Sequence, residues 1–221
     1  MTTGQDTVVL VHGLWVHGIA MELMRRRVAR GGFRVLSYSY PSVRLTLAEN
    51  VERLARYCRE IGAPRLNFVG HSLGGLIVLR MLGRASGVEP GRVVLAGAPV
   101  AGSYAAQRLA RLPGGRAALG RSMMEWLESK PSLILDGCEI GVIAGSMPVG
   151  AGRIVAPELP GPSDGAVRVE ETFLPAMRDR IVLNVSHSGM LVSRAVARQI
   201  CVFLRNGAFD KAEGESRKAE G

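Results

Sequence analysis

Gly70-His71-Ser72-Leu73-Gly74 sets a serine two residues from a glycine on each side, between an apolar stretch, Leu66–Val69, and a helical one, Leu73–Leu82. A sharp strand-to-helix turn forces its central residue into a strained backbone conformation, and side chains at the flanking positions would collide across it. Gly70, Gly74 and the additional Gly75 meet that demand. Such a turn lifts the Ser72 hydroxyl above the sheet and points the free N–H groups of the next helix at any oxyanion formed there. The chemistry this suits is attack of the serine oxygen on a carbonyl carbon.

A serine at its ordinary pKa is a poor nucleophile, so a base must take its proton and a carboxylate must orient the base. Of the four histidines, His71 sits inside the turn and would point away from the hydroxyl, and His12 and His17 belong to the first loop. His187 remains, in Ser186-His187-Ser188-Gly189 after the last strand, where small neighbours leave room for an imidazole. For the acid, the fourth strand ends in Ala96-Gly97-Ala98-Pro99 and offers no carboxylate, so the loop after the fifth must supply it. Asp164, in Ser163-Asp164-Gly165, gives the chain order Ser, Asp, His. Glu158 is the alternative on that loop, flanked by prolines and without a turn glycine, while Asp136 and Asp179 precede their strands. Leu73, following the serine, supplies one oxyanion N–H, and Leu14 in His12-Gly13-Leu14-Trp15 is placed to supply the second.

These residues need a scaffold that brings the ends of several strands together. Apolar runs at Thr7–Val11, Phe33–Tyr38, Leu66–Val69, Arg92–Ala96, Ile140–Ala144 and Arg180–Val185 read as strands. Helical stripes from His17 to about Arg30, Leu45 to Ile61, Leu73 to Leu82 and about Met190 to Leu204 alternate with them. Alternation of this kind predicts a compact α/β domain over 1–206, with a mostly parallel sheet of about six strands covered by helices on both faces. Residues 101–138 interrupt it with two short helical patterns, Tyr104–Leu112 and Ser122–Leu127, expected as a small cap. From Gly207 to residue 221 the chain is charged, nearly free of apolar residues and expected to be disordered.

The 221 residues fit one domain, and 47% apolar with 21% charged residues is an ordinary globular balance. The start lacks a secretory signal pattern, and the apolar run from Val8 to Met24 is too interrupted to span a bilayer. Three cysteines, at 58, 138 and 201, show no CxxC spacing, which argues against a disulfide framework or thiolate metal site and for a cytoplasmic setting. The net charge of +9, with Arg25-Arg26-Arg27 on a helix, reads as a solvated face: no nucleic-acid module accompanies it, and weak association with an anionic membrane surface is the partner it suggests.

With its HGL loop, GHSLGG turn, late Asp-Gly and terminal histidine, the sequence resembles the α/β-hydrolase superfamily, within it the bacterial lipase and esterase-like serine hydrolases, over residues 8 to 205 in order. The resemblance implies nucleophile Ser72, acid Asp164, base His187, oxyanion donors Leu14 and Leu73, and no metal or organic cofactor. It departs from secreted members in having a small cap and a first strand that begins near residue 7.

The expected activity is hydrolysis of a small-molecule acyl ester through an acyl-enzyme. Thioesterase or acyltransferase chemistry would use the same parts, and a non-catalytic binding protein is disfavoured by the intact set. Leu109, Leu112, Met123, Met124, Trp126 and Leu127 could turn apolar cap faces towards the serine, with Leu14 and Trp15 beside the oxyanion site. Trp15, Met123 and Trp126 are the substrate-binding residues expected on this reading. Its competitor has those faces packing on the sheet.

Overall fold

The computed structural model describes residues 6–16, 21–84, 86–129, 135 and 137–212. Six parallel strands, β1 (Thr7–Val11), β2 (Arg34–Tyr38), β3 (Leu66–His71), β4 (Pro90–Ala96), β5 (Glu139–Gly145) and β6 (Asp179–Leu183), form one sheet in the order β2-β1-β3-β4-β5-β6. Parallel strands buried on both faces carry near-continuous apolar runs, and β1 is buried at every position. The crossover from β1 runs to β2 on one side and that from β3 runs to β4 on the other, which opens a crevice at the carboxyl edge between β1 and β3.

Helices α1 (Glu22–Arg30) and α7 (Arg194–Asn206) cover one face, with Met24, Val28, Ile200 and Phe203 in its core. On the other face lie α2 (Leu47–Ile61) and α3 (Leu73–Leu82), with Leu54, Phe68, Ile77 and Leu79 among the buried side chains. Thr46 and Glu49 make a reciprocal capping box at the start of α2, and Gly62 ends it in the left-handed conformation. The cap consists of α4 (Tyr104–Ala110) and α5 (Gly115–Ser129), while a one-turn helix, α6 (Gly152–Val155), follows β5. Among the described residues no helix is long and apolar enough to cross a membrane.

Several boundaries differ from the sequence reading. The stripe from Met190 begins as a 3₁₀ turn, Gly189–Val192, and α7 starts only after Ser193, whose side chain accepts from the Val196 N–H. Of the first helical stripe, residues 17–20 lie outside the described residues. α5 is longer than expected and is broken internally at Gly120 (φ 71°, ψ 173°). The expectation of disorder from Gly207 fails for residues 207–212. Phe209 is buried with its ring tilted against Phe203 at 4.8 Å between centroids, its N–H donates to Asp179, and Asp210 pairs with Arg198 at 2.7 Å. One aromatic side chain with a place in the core suffices to fold back a stretch whose composition is otherwise that of a solvated tail. Residues 213–221 of that stretch lie outside the described residues.

Candidate active site

The turn after β3 has the strain its sequence demands: Ser72 holds φ 53° and ψ −125°, outside the basins open to most residues. A methyl group at Gly70 would come 2.4 Å from the Gly75 Cα, and one at Gly74 2.2 Å from the Val11 carbonyl oxygen. Both glycines are therefore required by close backbone approach. Hydrogen bonds from the Ser72 N–H to the Ala96 carbonyl (3.0 Å) and from the Gly75 N–H to the Ser72 carbonyl (3.0 Å) hold the strained residue in place.

Asp164 and His187 arrive from loops after β5 and β6 and meet at the same edge. His187 Nδ1 lies 2.7 Å from Asp164 Oδ2, and the His187 N–H donates to the Asp164 carbonyl at 2.8 Å. The other carboxylate oxygen accepts from the N–H groups of Ala166 (2.9 Å) and Val167 (2.7 Å), so the carboxylate of the buried Asp164 is engaged at both oxygens. With Nδ1–H donated to the carboxylate, Nε2 carries the lone pair a general base needs. Gly97, at the end of β4, makes the meeting possible: a methyl there would come 3.1 Å from Asp164 Oδ2 and 3.2 Å from His187 Nδ1.

Two of the other histidines, His12 and His71, have structural partners. His12 stacks on Tyr40 at 4.3 Å, takes the Tyr40 N–H on Nε2 and therefore donates from Nδ1 to the Gly13 carbonyl. His17 lies outside the described residues. His71 has a role that sequence reasoning missed. Its Nε2–H donates to the His187 carbonyl at 3.0 Å and its ring lies 4.7 Å from the His187 ring, so it props the loop that carries His187. Burial, and secondarily the nearby His187, lowers its pKa to about 3 and keeps the prop neutral. The glycine-flanked pattern marks the serine but says nothing of where its neighbour's ring turns.

Ser72 and His187 border a cavity of about 470 Å³ whose wall includes Leu14, Trp15, Leu73, Leu119 and Met123. Gly13 brings the loop after β1 against the serine, since a methyl there would lie 2.9 Å from the Ser72 Cβ. Leu14 and Leu73 line the cavity beside Ser72, as do Trp15 and Met123. Trp126 does not: it is buried in the core beneath the cap, so for this residue the competing expectation holds. Its segment of α5 is fixed to the body, because Glu125 accepts from the Leu47 N–H (2.8 Å) and Ser122 bridges Asn50 (2.8 Å) and the Leu45 carbonyl (2.8 Å). Leu112 is exposed, and Glu158 turns outward to Tyr104 and Arg108 (both 3.0 Å), away from His187.

The sheet order, the strained serine turn and the loops gathered at its carboxyl edge define an α/β hydrolase, and the chain belongs to the alpha/beta hydrolase family: the sequence model of that family matches residues 8–148. That match includes Ser72 and stops short of Asp164 and His187. No curated protein matches the chain by sequence. Among solved structures, the mature form of Bacillus licheniformis lipase BlEst2 is similar at a TM-score of 0.72 and 18% identity, over 93% of this chain and 93% of that one. Phospholipase PlaB from Legionella pneumophila gives a TM-score of 0.72 at 16% identity over 95% of this chain and 61% of that one. The metagenomic carboxyl esterase MGS0156 gives 0.64 at 18% identity over 94% and 76%. Likeness at such identities concerns the fold.

Proposed function

We propose that this protein is a serine esterase that cleaves carboxylic esters of medium-chain, apolar acyl groups through an acyl-enzyme. One observation carries the reading: a carboxylate-oriented histidine, His187 on Asp164 at 2.7 Å, shares an apolar cavity with a serine held at φ 53°. Ser72 Oγ attacks the ester carbonyl while His187 Nε2 takes its proton, and Asp164 stabilises the imidazolium that forms. The Leu14 and Leu73 N–H groups hold the oxyanion. Collapse expels the alcohol, which takes the proton from His187. Water, deprotonated by the same imidazole, then releases the acid. No step calls for a metal or organic cofactor. That BlEst2 is a lipase and MGS0156 a carboxyl esterase agrees with this choice of substrate class.

The test is a p-nitrophenyl ester series from acetate to palmitate, with a fluorophosphonate probe for the nucleophile. Each methylene that enters the cavity favours binding by up to about 0.8 kcal/mol, so kcat/KM should rise from acetate to medium chains and then fall. The probe should label the wild type and not Ser72→Ala. A monotonic fall from acetate onward would remove the acyl pocket, and an unlabelled Ser72 the mechanism.

A further inference from the structure

We infer that Trp15 is a positioning residue for the oxyanion hole, tying the loop that carries the Leu14 N–H to the cap. The inference rests on the acyl-enzyme reading above and starts from two breaks in regular structure that meet at one hydrogen bond.

The first break is Gly120. At φ 71° and ψ 173° it ends the opening part of α5, and the next N–H, that of Arg121, goes to the Val43 carbonyl at 2.9 Å instead of to the preceding turn. A methyl at Gly120 would lie 2.5 Å from the Val43 Cα, so the break is set by backbone contact with the body. A helix that ends leaves the carbonyls of its last turn without their intrahelical donors, and Ala118 is in that turn. The second break is Trp15, which holds φ 57°, a left-handed conformation unfavourable for a bulky side chain and maintained only where the surroundings impose it.

The two are joined: the Trp15 indole N–H donates to the Ala118 carbonyl at 2.8 Å. The contact does not arise from burial of the ring, which is 55% exposed. A tryptophan serving only as an apolar wall would gain more by burying the ring. What this one supplies is a directed donor across 103 residues of sequence, from the tip of the loop to the cap. At the base of the loop, His12 takes the Tyr40 N–H on Nε2 (3.2 Å) and donates from Nδ1 to the Gly13 carbonyl. Leu14 is therefore strung between two side-chain anchors, one on the body of the sheet and one on the cap. Oxyanion donors act through preorganisation, so the time the loop spends in this arrangement enters the rate directly.

A net hydrogen bond of ordinary strength changes the equilibrium constant for this arrangement by about three- to tenfold, and the occupancy by as much once the released loop dominates in the variant. Trp15→Phe removes the N–H, and replacement of Trp15 by its benzothienyl isostere exchanges only that N–H for sulfur and keeps the ring. In both, kcat for p-nitrophenyl butyrate should fall by about three- to tenfold with KM within about twofold of wild type, and the rate of Ser72 phosphonylation should fall in parallel. Unchanged kcat in the isostere would overturn the assignment, and so would a raised KM at constant kcat, the signature of a wall residue. A wild type that hydrolyses no acyl ester and takes no probe would sink the acyl-enzyme reading and this inference together. An active enzyme indifferent to loss of the indole N–H would sink only the latter.

Discussion

His71 makes a measurable link between acidity and stability. In the unfolded chain its imidazole binds a proton below about pH 6.5. In the folded protein, where the ring is buried against His187, it does so only near pH 3. Between those limits the unfolded state holds more protons, so stability is lost as the pH falls from 6.5 towards 3 and is unaffected by this group above that window. Each pH unit within it is worth about 1.4 kcal/mol, so lowering the pH from 7.5 to 5.0 costs about 2 kcal/mol through this residue alone. His71→Gln retains an N–H donor for the His187 carbonyl and cannot titrate. Urea unfolding followed by circular dichroism at the two pH values should show the variant losing about 2 kcal/mol less than the wild type, the carboxylates common to both cancelling. Equal losses, within about 0.5 kcal/mol, would refute a buried neutral imidazole at this position.

Ser72→Ala and His187→Ala should each lower kcat by at least about a thousandfold with little change in melting temperature, and Asp164→Asn should also cut turnover severely. More than a tenth of wild-type activity in His187→Ala would exclude it as the base. Gly97→Ala pushes a methyl to 3.1 Å from Asp164 Oδ2, so kcat should drop by roughly tenfold with KM retained, and full activity would show that the pair tolerates displacement. Trp126→Ala should cost about 3–5 kcal/mol in denaturant unfolding and leave acyl preference as it was, whereas an altered preference would return Trp126 to the pocket.

The turn around Ser72 was legible because three kinds of information coincide there: an apolar strand, a helix, and glycines at the two positions where backbones touch. Asp164 and His187 were legible from chain order and from the absence of a carboxylate after β4. Trp126 was misassigned because helical periodicity gives an apolar face without saying what it meets, and here Glu125 and Ser122 fasten that face to the body. The break at Gly120 depends on Val43, far away in sequence, and the inward return of Phe209 on a gap beside Phe203; neither leaves a local pattern. His71 was passed over because adjacency to Ser72 carries no information about χ angles.

The cavity wall has two kinds of tenant. Leu119 and Met123, 3% and 5% exposed, belong to the same core that holds α2 and α3, whereas Ile154, across the cavity on the one-turn α6, is 81% exposed. If the cavity takes an acyl chain as proposed, selection for a different acyl length through the first pair would cost stability with every step, since each change of volume there disturbs a close-packed interior. Through Ile154 it would proceed almost silently. On the proposed esterase reading, divergent descendants of this chain should accordingly drift at the α6 side of the cavity before they drift at the cap side.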